Sequence, residues 1–343
     1  MQLLTYGDAS DREFEGELEG IGLLPIYERM RRPRSRVLQL LQSFLVPWVL
    51  RHEIRCSDLF KTNQMMGAWV AVVAKFCCRK PLLLRCGYEL SEFLRLRQAT
   101  GWQRCAGWLV SLVSYHLADR IHVATRSDAV LVHRRFGVPM GRIVVRPNWI
   151  DTRAFTTSRL GDPPRHGVLF VGRFSKQKNL SLLLEAISDT GQVLTLVGGG
   201  EDERVVRASA QALGVRVDFR GRIANNLLPA LYRRCAVYVI CSHYEGHPKT
   251  LLEAMACGCA VVGTDVPGIR EIIVHEHNGL LTAENPAALR ATLRRLLIDK
   301  ELRKRLGGAA REWVIQAHSL DSAVAAEWQT YNELSGSASD GTT

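Results

Sequence analysis

Two carboxylates eight positions apart, Glu245 and Glu253, bound the stretch Glu245-Gly-His-Pro-Lys-Thr-Leu-Leu-Glu253. The pattern reads as a strand-to-helix junction, with Glu245 in the loop and Glu253 one to two turns into the helix. His247, Pro248, Lys249, Thr250 and Leu251 lie around the helix start. A helix opening toward a ligand aims free backbone N–H groups and the positive end of its dipole at it. Two carboxylates beside such an anion site make little sense for phosphate alone. They make sense for a ligand that also carries hydroxyls, and a sugar joined to a nucleoside diphosphate has both. Taken singly, each acid also reads blandly: Glu253 as a first-turn acid favoured by the dipole, Glu245 as a loop acid.

The cations such a ligand needs stand in Gly172-Arg173-Phe-Ser-Lys-Gln-Lys178-Asn179, after one strand and before a helix. Arg173 at the strand end and Lys178 near the helix start could both reach a diphosphate. There they would stabilise the charge growing on it as it leaves. A solvated basic loop is the alternative. Val197-Gly-Gly-Gly-Glu-Asp202 places Gly198 and Gly199 after another strand, where a backbone can approach a ligand closely or merely turn tightly. Phe219-Arg-Gly-Arg-Ile223 puts Arg222 and Ile223 after a third, where backbone groups could hold a nucleobase edge. Asp265-Val-Pro-Gly268 and Glu271 close the same edge.

These loops require a sheet. Strands are expected at 2–6, 58–62, 82–85, 121–124 and 143–145 in the N-terminal part. A polar, acid-rich stretch at 11–19 and an apolar segment at 37–50, broken by Pro47, lie between the first two. The C-terminal part alternates more cleanly. Strands are expected at 168–171, 194–197, 216–219, 237–240, 260–263 and 280–281. Helices are expected at 180–188, 202–213, 226–233, 250–256 and 269–274. Short apolar runs of this kind suit parallel sheets covered on both faces, hence a doubly wound α/β fold. A linker-like composition at 156–166 divides the two parts. Two such sheets leave a cleft at the carboxyl ends of their strands.

A length of 343 residues with 47% apolar content supports two cores. The nine cysteines include no Cys-x-x-Cys spacing, so the thiols read as reduced and cytosolic. The apolar run from Met65 to Cys78 has 14 residues and carries Lys75, too short for a span of about 20. A buried helix is expected there, and no signal peptide opens the chain. The net charge of +11, with only eight lysines among 45 basic residues, fits phosphorylated ligands or an anionic membrane surface. No nucleic-acid motif accompanies it. Arg31-Arg-Pro-Arg-Ser-Arg36 beside 37–50 could lie on anionic lipid, or form a basic loop before a core helix.

Together these residues resemble the large retaining glycosyltransferase family of GT-B fold commonly called family 4. Its Glu-x7-Glu signature is matched by Glu245 and Glu253. The resemblance runs from about Ser114 to Gly279, through Ala124-Thr-Arg-Ser, Arg146-Pro-Asn-Trp-Ile-Asp151, Val171-Gly-Arg, Gly198-Gly-Gly, Gly221-Arg, Leu252-Glu-Ala-Met-Ala-Cys-Gly258 and Thr264-Asp-Val-Pro-Gly268. It implies two Rossmann-like domains facing a cleft. Residues 1–158 would form the acceptor-side domain and 159–318 the nucleotide-sugar-binding domain. A helix at 319–334 would return to the first, and a disordered tail would follow at 335–343. Arg173 and Lys178 would neutralise the donor diphosphate, Glu253 would hold ribose and Glu245 the transferred sugar. Gly172, Gly198, Gly199, Arg222, Ile223 and His247–Leu251 would line the donor. The resemblance also implies transfer of a hexose-type sugar to a glycan or lipid-linked acceptor with retention, and no metal or other cofactor. Catalysis would be cytoplasmic, or peripheral at the cytosolic membrane face.

Three departures stand out. Glu245-Gly-His-Pro248 replaces the family's Glu-Gly-Phe-Gly, and Pro248 has no N–H to offer. No Gly-rich loop follows the first strand, so the N-terminal domain is expected to lack its first β-α unit. Arg85-Cys-Gly-Tyr-Glu89 stands where a His-Gly pair is usual, which leaves Arg85 and Tyr88 as acceptor-side candidates. A sugar-nucleotide epimerase or hydrolase on this scaffold, or a truncated binding relative without transfer activity, are the alternatives.

Overall fold

The structure, a computed structural model, describes residues 1–17, 20–157 and 163–336. The chain divides into two compact units. One contains Met1–His122, Phe136–Ile143 and the chain from Tyr331, the other Val123–Arg135 and Val144–Thr330. The middle of the expected linker, residues 158–162, lies outside the described residues.

In the first part of the chain, β1 (Gln2–Thr5) pairs in parallel with β2 (Gly22–Pro25), Leu3 opposite Leu23. A separate four-stranded sheet follows, in the order β3 (Phe60–Lys61), β4 (Leu82–Cys86), β5 (Arg120–Val123), β6 (Ile143–Val145). Strand β2 escapes the sequence because Gly-Leu-Leu-Pro is too short to show a pattern. Its neighbour 9–17 is a 3-10 helix rather than a loop. The sheet is also in two pieces where a single one was expected. Leu4 of β1 and Phe60 of β3 line one open pocket of about 430 Å³, with Tyr6, Leu24, Leu50 and Val70.

The apolar run at 65–78 forms the helix Ala68–Cys78, which buries Ala68, Val70, Val72 and Ala74. Gly67 starts it from a left-handed conformation, φ 89°. Among the described residues no helix is long and apolar enough to cross a membrane. Pro47 does not end the 37–50 segment but opens a second short helix. The helix Arg36–Ser43 is followed by Val46–Val49, with Pro47 in its first turn, where a missing N–H costs nothing.

The second unit carries β7 (His166–Val171), β8 (Leu194–Val197), β9 (Val217–Gly221), β10 (Cys235–Ile240), β11 (Ala260–Thr264) and β12 (Leu280–Thr282). They form one sheet in the order β12-β11-β10-β7-β8-β9. Every pairing in it is parallel. Val168, Leu169, Phe170, Val237, Tyr238 and Val239 are buried at its centre. Helices cover both faces, so both sides of the central strands β7 and β10 are apolar and no alternation shows, whereas the edge strand β9 carries Asp218 and Arg220. The chain order reverses between β7 and β10. In open parallel sheets that reversal, at the carboxyl ends of the strands, is where ligands enter.

Differences from expectation are local. The helix expected at 269–274 is the shorter Pro267–Arg270. The last helix, Leu320–Gly336, continues through Ser335 and Gly336, which were expected in the tail. The rest of that tail, 337–343, lies outside the described residues.

Candidate functional site

The reversal of strand order sets the loop after β7 beside the loop after β10. Gln177 joins them. Its carbonyl accepts the His243 N–H at 2.9 Å and its side-chain amide donates to the Tyr244 carbonyl at 2.9 Å. Lys178 ends the 3-10 turn Lys176–Lys178, two residues before the helix Leu180–Ile187. Asn179, at φ 49°, makes the turn between them. This geometry sends the Lys178 ammonium onto Glu245, with which it forms an ion pair. Both side chains are largely buried, 17% and 8% exposed. The Ser242 hydroxyl donates to the same Glu245 oxygen at 2.6 Å. Arg173 is exposed and makes no ion pair among the described residues, so its charge is available to a ligand.

Glu245 is also held from behind. A Cβ at Gly268 would stand 2.1 Å from the Gly246 carbonyl oxygen and 2.3 Å from that of Glu245. The Val-Pro-Gly268 turn therefore touches the backbone that carries the acid, and only glycine fits. We expect Gly268→Ala to push this loop outward and weaken binding of the nucleoside diphosphate sugar that the resemblance implies about tenfold, through loss of about 1.4 kcal/mol of positioning. Titration calorimetry reads it, and unchanged affinity would show that the contact does not position Glu245.

Pro248 caps the helix Lys249–Ala256 with no side-chain hydrogen bond. Its ring lacks an N–H, but the N–H groups of Lys249, Thr250 and Leu251 have no partner within the helix. The Thr250 hydroxyl accepts from the buried Tyr238 phenol at 2.8 Å, and the Leu251 side chain is in the core. What these two residues can offer a ligand is thus mainly backbone. The loop ahead is tied by Asn148, whose amide donates to the His247 carbonyl at 2.6 Å. His247 itself is buried, its ring 5.1 Å from that of His318. The Lys249 ammonium lies over Trp149, 4.9 Å from the ring centroid. The Arg-Pro-Asn-Trp segment thereby shapes the helix start.

Glu253 is 5% exposed and accepts the Tyr232 hydroxyl at 2.8 Å. Burial pushes its carboxyl above the usual range, opposed by hydrogen bonds from Tyr232 and Asn225 and by the Lys249 charge. Burial likewise holds the Tyr232 phenol well above its ordinary value, so it remains a donor. Sequence reasoning missed Tyr232, Ser242, Gln177 and Asn148. Gln177 and Asn148 lie within segments the sequence singles out, and Ser242 stands three residues before Glu245; Tyr232 had no local signal.

The glycine turn has a different reason than ligand approach alone. A Cβ at Gly198 would lie 1.9 Å from the Gly172 carbonyl oxygen, and one at Gly200 2.2 Å from that of Phe174. Gly198 also donates to the Gly221 carbonyl at 2.7 Å. The loops after β7, β8 and β9 thus pack backbone to backbone. A Cβ at Gly199 would meet only the Glu203 carboxylate, at 3.3 Å. Arg222 is exposed beside them, and Ile223 is half-buried against the core.

Glu271 accepts from the Arg126 and Ser127 N–H groups and the Ser127 hydroxyl, at 2.7, 2.8 and 2.6 Å. It caps the helix Arg126–Phe136, which accounts for the Ala124-Thr-Arg-Ser segment. Asp265 pairs with Arg270. Arg85 and Tyr88 sit in the first unit at and just after the end of β4. Arg85 N–H donates to the Thr62 hydroxyl at 3.0 Å, and Tyr88 packs edge-on against Phe93. Their neighbour Glu89 is buried and caps the helix Leu90–Leu96 through Ser91 and Glu92.

Comparisons with known proteins agree with this arrangement. The sequence model described as "Glycosyl transferases group 1" matches residues 160–313. An uncharacterized glycosyltransferase of Methanocaldococcus jannaschii is 34% identical over 286 residues, 77% of this chain and 72% of that protein. An alpha-1,4-N-acetyl-D-galactosaminyltransferase of Campylobacter jejuni, named for an undecaprenol-diphosphate-linked acceptor, is 30% identical over 209 residues, 58% and 56% of the two chains. The chain spans about half the length of the first curated relatives it matches, 48% and 56%. Among solved structures, sucrose-phosphate synthase from Thermosynechococcus elongatus superposes with TM-score 0.79 at 22% identity, covering 92% of this chain and 84% of that one. HepE of Anabaena, in complex with UDP and glucose, gives TM-score 0.79 at 19% identity, with coverage of 97% and 91%. The structural likeness establishes the GT-B fold. With the sequence match across most of its length, the chain belongs to the glycosyl transferases group 1 family.

Proposed function

We propose that this chain moves a hexose-type sugar from a nucleoside-diphosphate sugar to a glycan or lipid-linked acceptor, with retention at the anomeric carbon and without a metal. The observation that carries the reading is the convergence, at the strand-order reversal, of the Lys178–Glu245 pair, exposed Arg173 and the uncapped start of the Lys249–Ala256 helix. Residues 159–318 form the donor half.

In this reading the diphosphate lies on the helix N–H groups, with Arg173 and Lys178 against its charge. Glu253 accepts from the ribose hydroxyls and Glu245 from hydroxyls of the sugar. The bond from the anomeric carbon to the β-phosphate oxygen breaks, and the electron pair leaves with the diphosphate. An acceptor hydroxyl attacks from the same face and gives its proton to the departing phosphate oxygen. Glu245, already engaged by Ser242 and Lys178, serves as an acceptor of hydrogen bonds rather than a nucleophile. Catalysis rests on positioning and charge stabilisation. The workplace is the face of an anionic membrane, where lipid-linked acceptors reside. The acceptor for which the Campylobacter relative is named favours that class.

Calorimetry with uridine, guanosine and adenosine diphosphates and their sugars tests the donor half. We expect binding of one base without added metal, lost in Glu253→Ala. Failure of every member of the panel to bind would sink the reading.

A further inference from the structure

We infer that the segment 31–48 docks the chain onto an anionic phospholipid bilayer, which deepens the membrane part of the proposed function. The helix Arg36–Ser43 and the turn after it are inside out. Their polar side turns onto the preceding loop and Trp69. The Gln39 amide donates to the Pro33 carbonyl at 2.7 Å and the Gln42 amide to the Arg31 carbonyl at 3.0 Å. Ser43 is buried and accepts the Trp69 indole N–H at 2.8 Å. The apolar side faces water. Val37, Leu38, Leu41, Phe44, Leu45 and Trp48 are each 42% to 65% exposed.

Their spacing is the stripe that an ordinary surface helix turns to its core. The expected core helix over 37–50 thus exposes its apolar side chains from 37 to 45, and only its later part, at Val46, Pro47 and Leu50, is buried. Side chains of this size expose an apolar area on the order of several hundred Å², the upper end of what monomer surfaces carry.

Charge identifies the occupant. From Arg29 to Arg51 the chain has six arginines and no aspartate or glutamate. Arg31, Arg32 and Arg34 are exposed at one end of the apolar row. Arg32 lies over the Tyr27 ring, 5.3 Å from its centroid, which fixes that end to the body of the unit. An apolar stripe seated at the acyl boundary, with arginines at headgroup level, is how interfacial helices bind anionic lipid. The exposed Trp48 ring, apolar with one polar N–H, suits the same boundary.

The test is co-sedimentation of the full chain with vesicles of phosphatidylcholine alone, or mixed with phosphatidylglycerol. We expect binding to the mixed vesicles only, weakened by salt. Leu38→Glu/Leu41→Glu should lose at least about tenfold in partition, and each of Arg31→Gln and Arg34→Gln about fivefold. These side chains are exposed, so circular dichroism should be unchanged. Equal binding to both vesicle types, or none, would overturn the inference. So would a concentration-dependent dimer abolished by Leu38→Glu/Leu41→Glu, since the stripe would then be a contact between copies. Donor calorimetry is independent of the vesicles, so failure of docking and failure of the transferase reading are separately visible.

Discussion

Lys178→Ala is expected to lower kcat about a thousandfold while changing KM little, because in the proposed reaction its cation acts mainly on charge that grows as the diphosphate leaves. The same substitution strands the Glu245 carboxylate, which is 8% exposed and pairs with Lys178. A buried charge deprived of its partner destabilises the fold, here by about 2 kcal/mol. These effects separate in the double variant Lys178→Ala/Glu245→Gln. A neutral amide needs no counter-ion, so unfolding by denaturant should return close to the parent while turnover stays lost. Full recovery of turnover in the double variant would show that Lys178 only neutralises Glu245. Arg173, exposed and without an ion pair among the described residues, offers the contrast. Arg173→Ala should cost turnover with no change in stability.

Glu253→Gln is expected to do opposite things to binding and stability. Its carboxylate is the proposed holder of the ribose, and losing a charged acceptor of two hydroxyls should weaken the donor about a hundredfold. Yet burial makes the charged form costly to the native state. Glutamine keeps an oxygen for the Tyr232 hydroxyl and removes that cost, so the variant should be more stable by about 1 kcal/mol at neutral pH. The sign follows from the raised folded-state pKa. The carboxyl binds its proton more tightly folded than unfolded. Its cost to stability therefore grows as pH rises from the ordinary carboxylate range through the raised value. Below that range both proteins carry a neutral group and the advantage of glutamine vanishes. Denaturant unfolding across pH reads this directly. A variant less stable than the parent at every pH would show that the Tyr232 and Asn225 hydrogen bonds outweigh burial.

Much of the second unit was legible in the chain. Buried parallel strands such as 168–171 and 237–240 are continuous apolar runs, and glycine-rich or charged loops punctuate them. The carboxylates Glu245 and Glu253 stood out because a strand-to-helix junction is a local pattern. Strand Gly22–Pro25 was not legible, since four residues hold no period. The split between β1 and β3 was not legible either, because pairing is a relation between distant segments.

Local spacing thus determined the elements, the order of the loops along one sheet edge, and the residue types that could meet a nucleotide sugar. What those residues touch was decided by the sheet order, which brings chain positions 178 and 245, or 232 and 253, within hydrogen-bond reach. Gly198 and Gly268 are needed where backbones from different strands meet, and no spacing along the chain records that distance. Periodicity likewise revealed that 37–48 has an apolar face but not which way it turns. An amphipathic helix has the same period whether its stripe meets a core or water, and only the folded structure, with Gln39 and Gln42 bonded to the preceding loop and Ser43 to Trp69, shows the stripe turned to water.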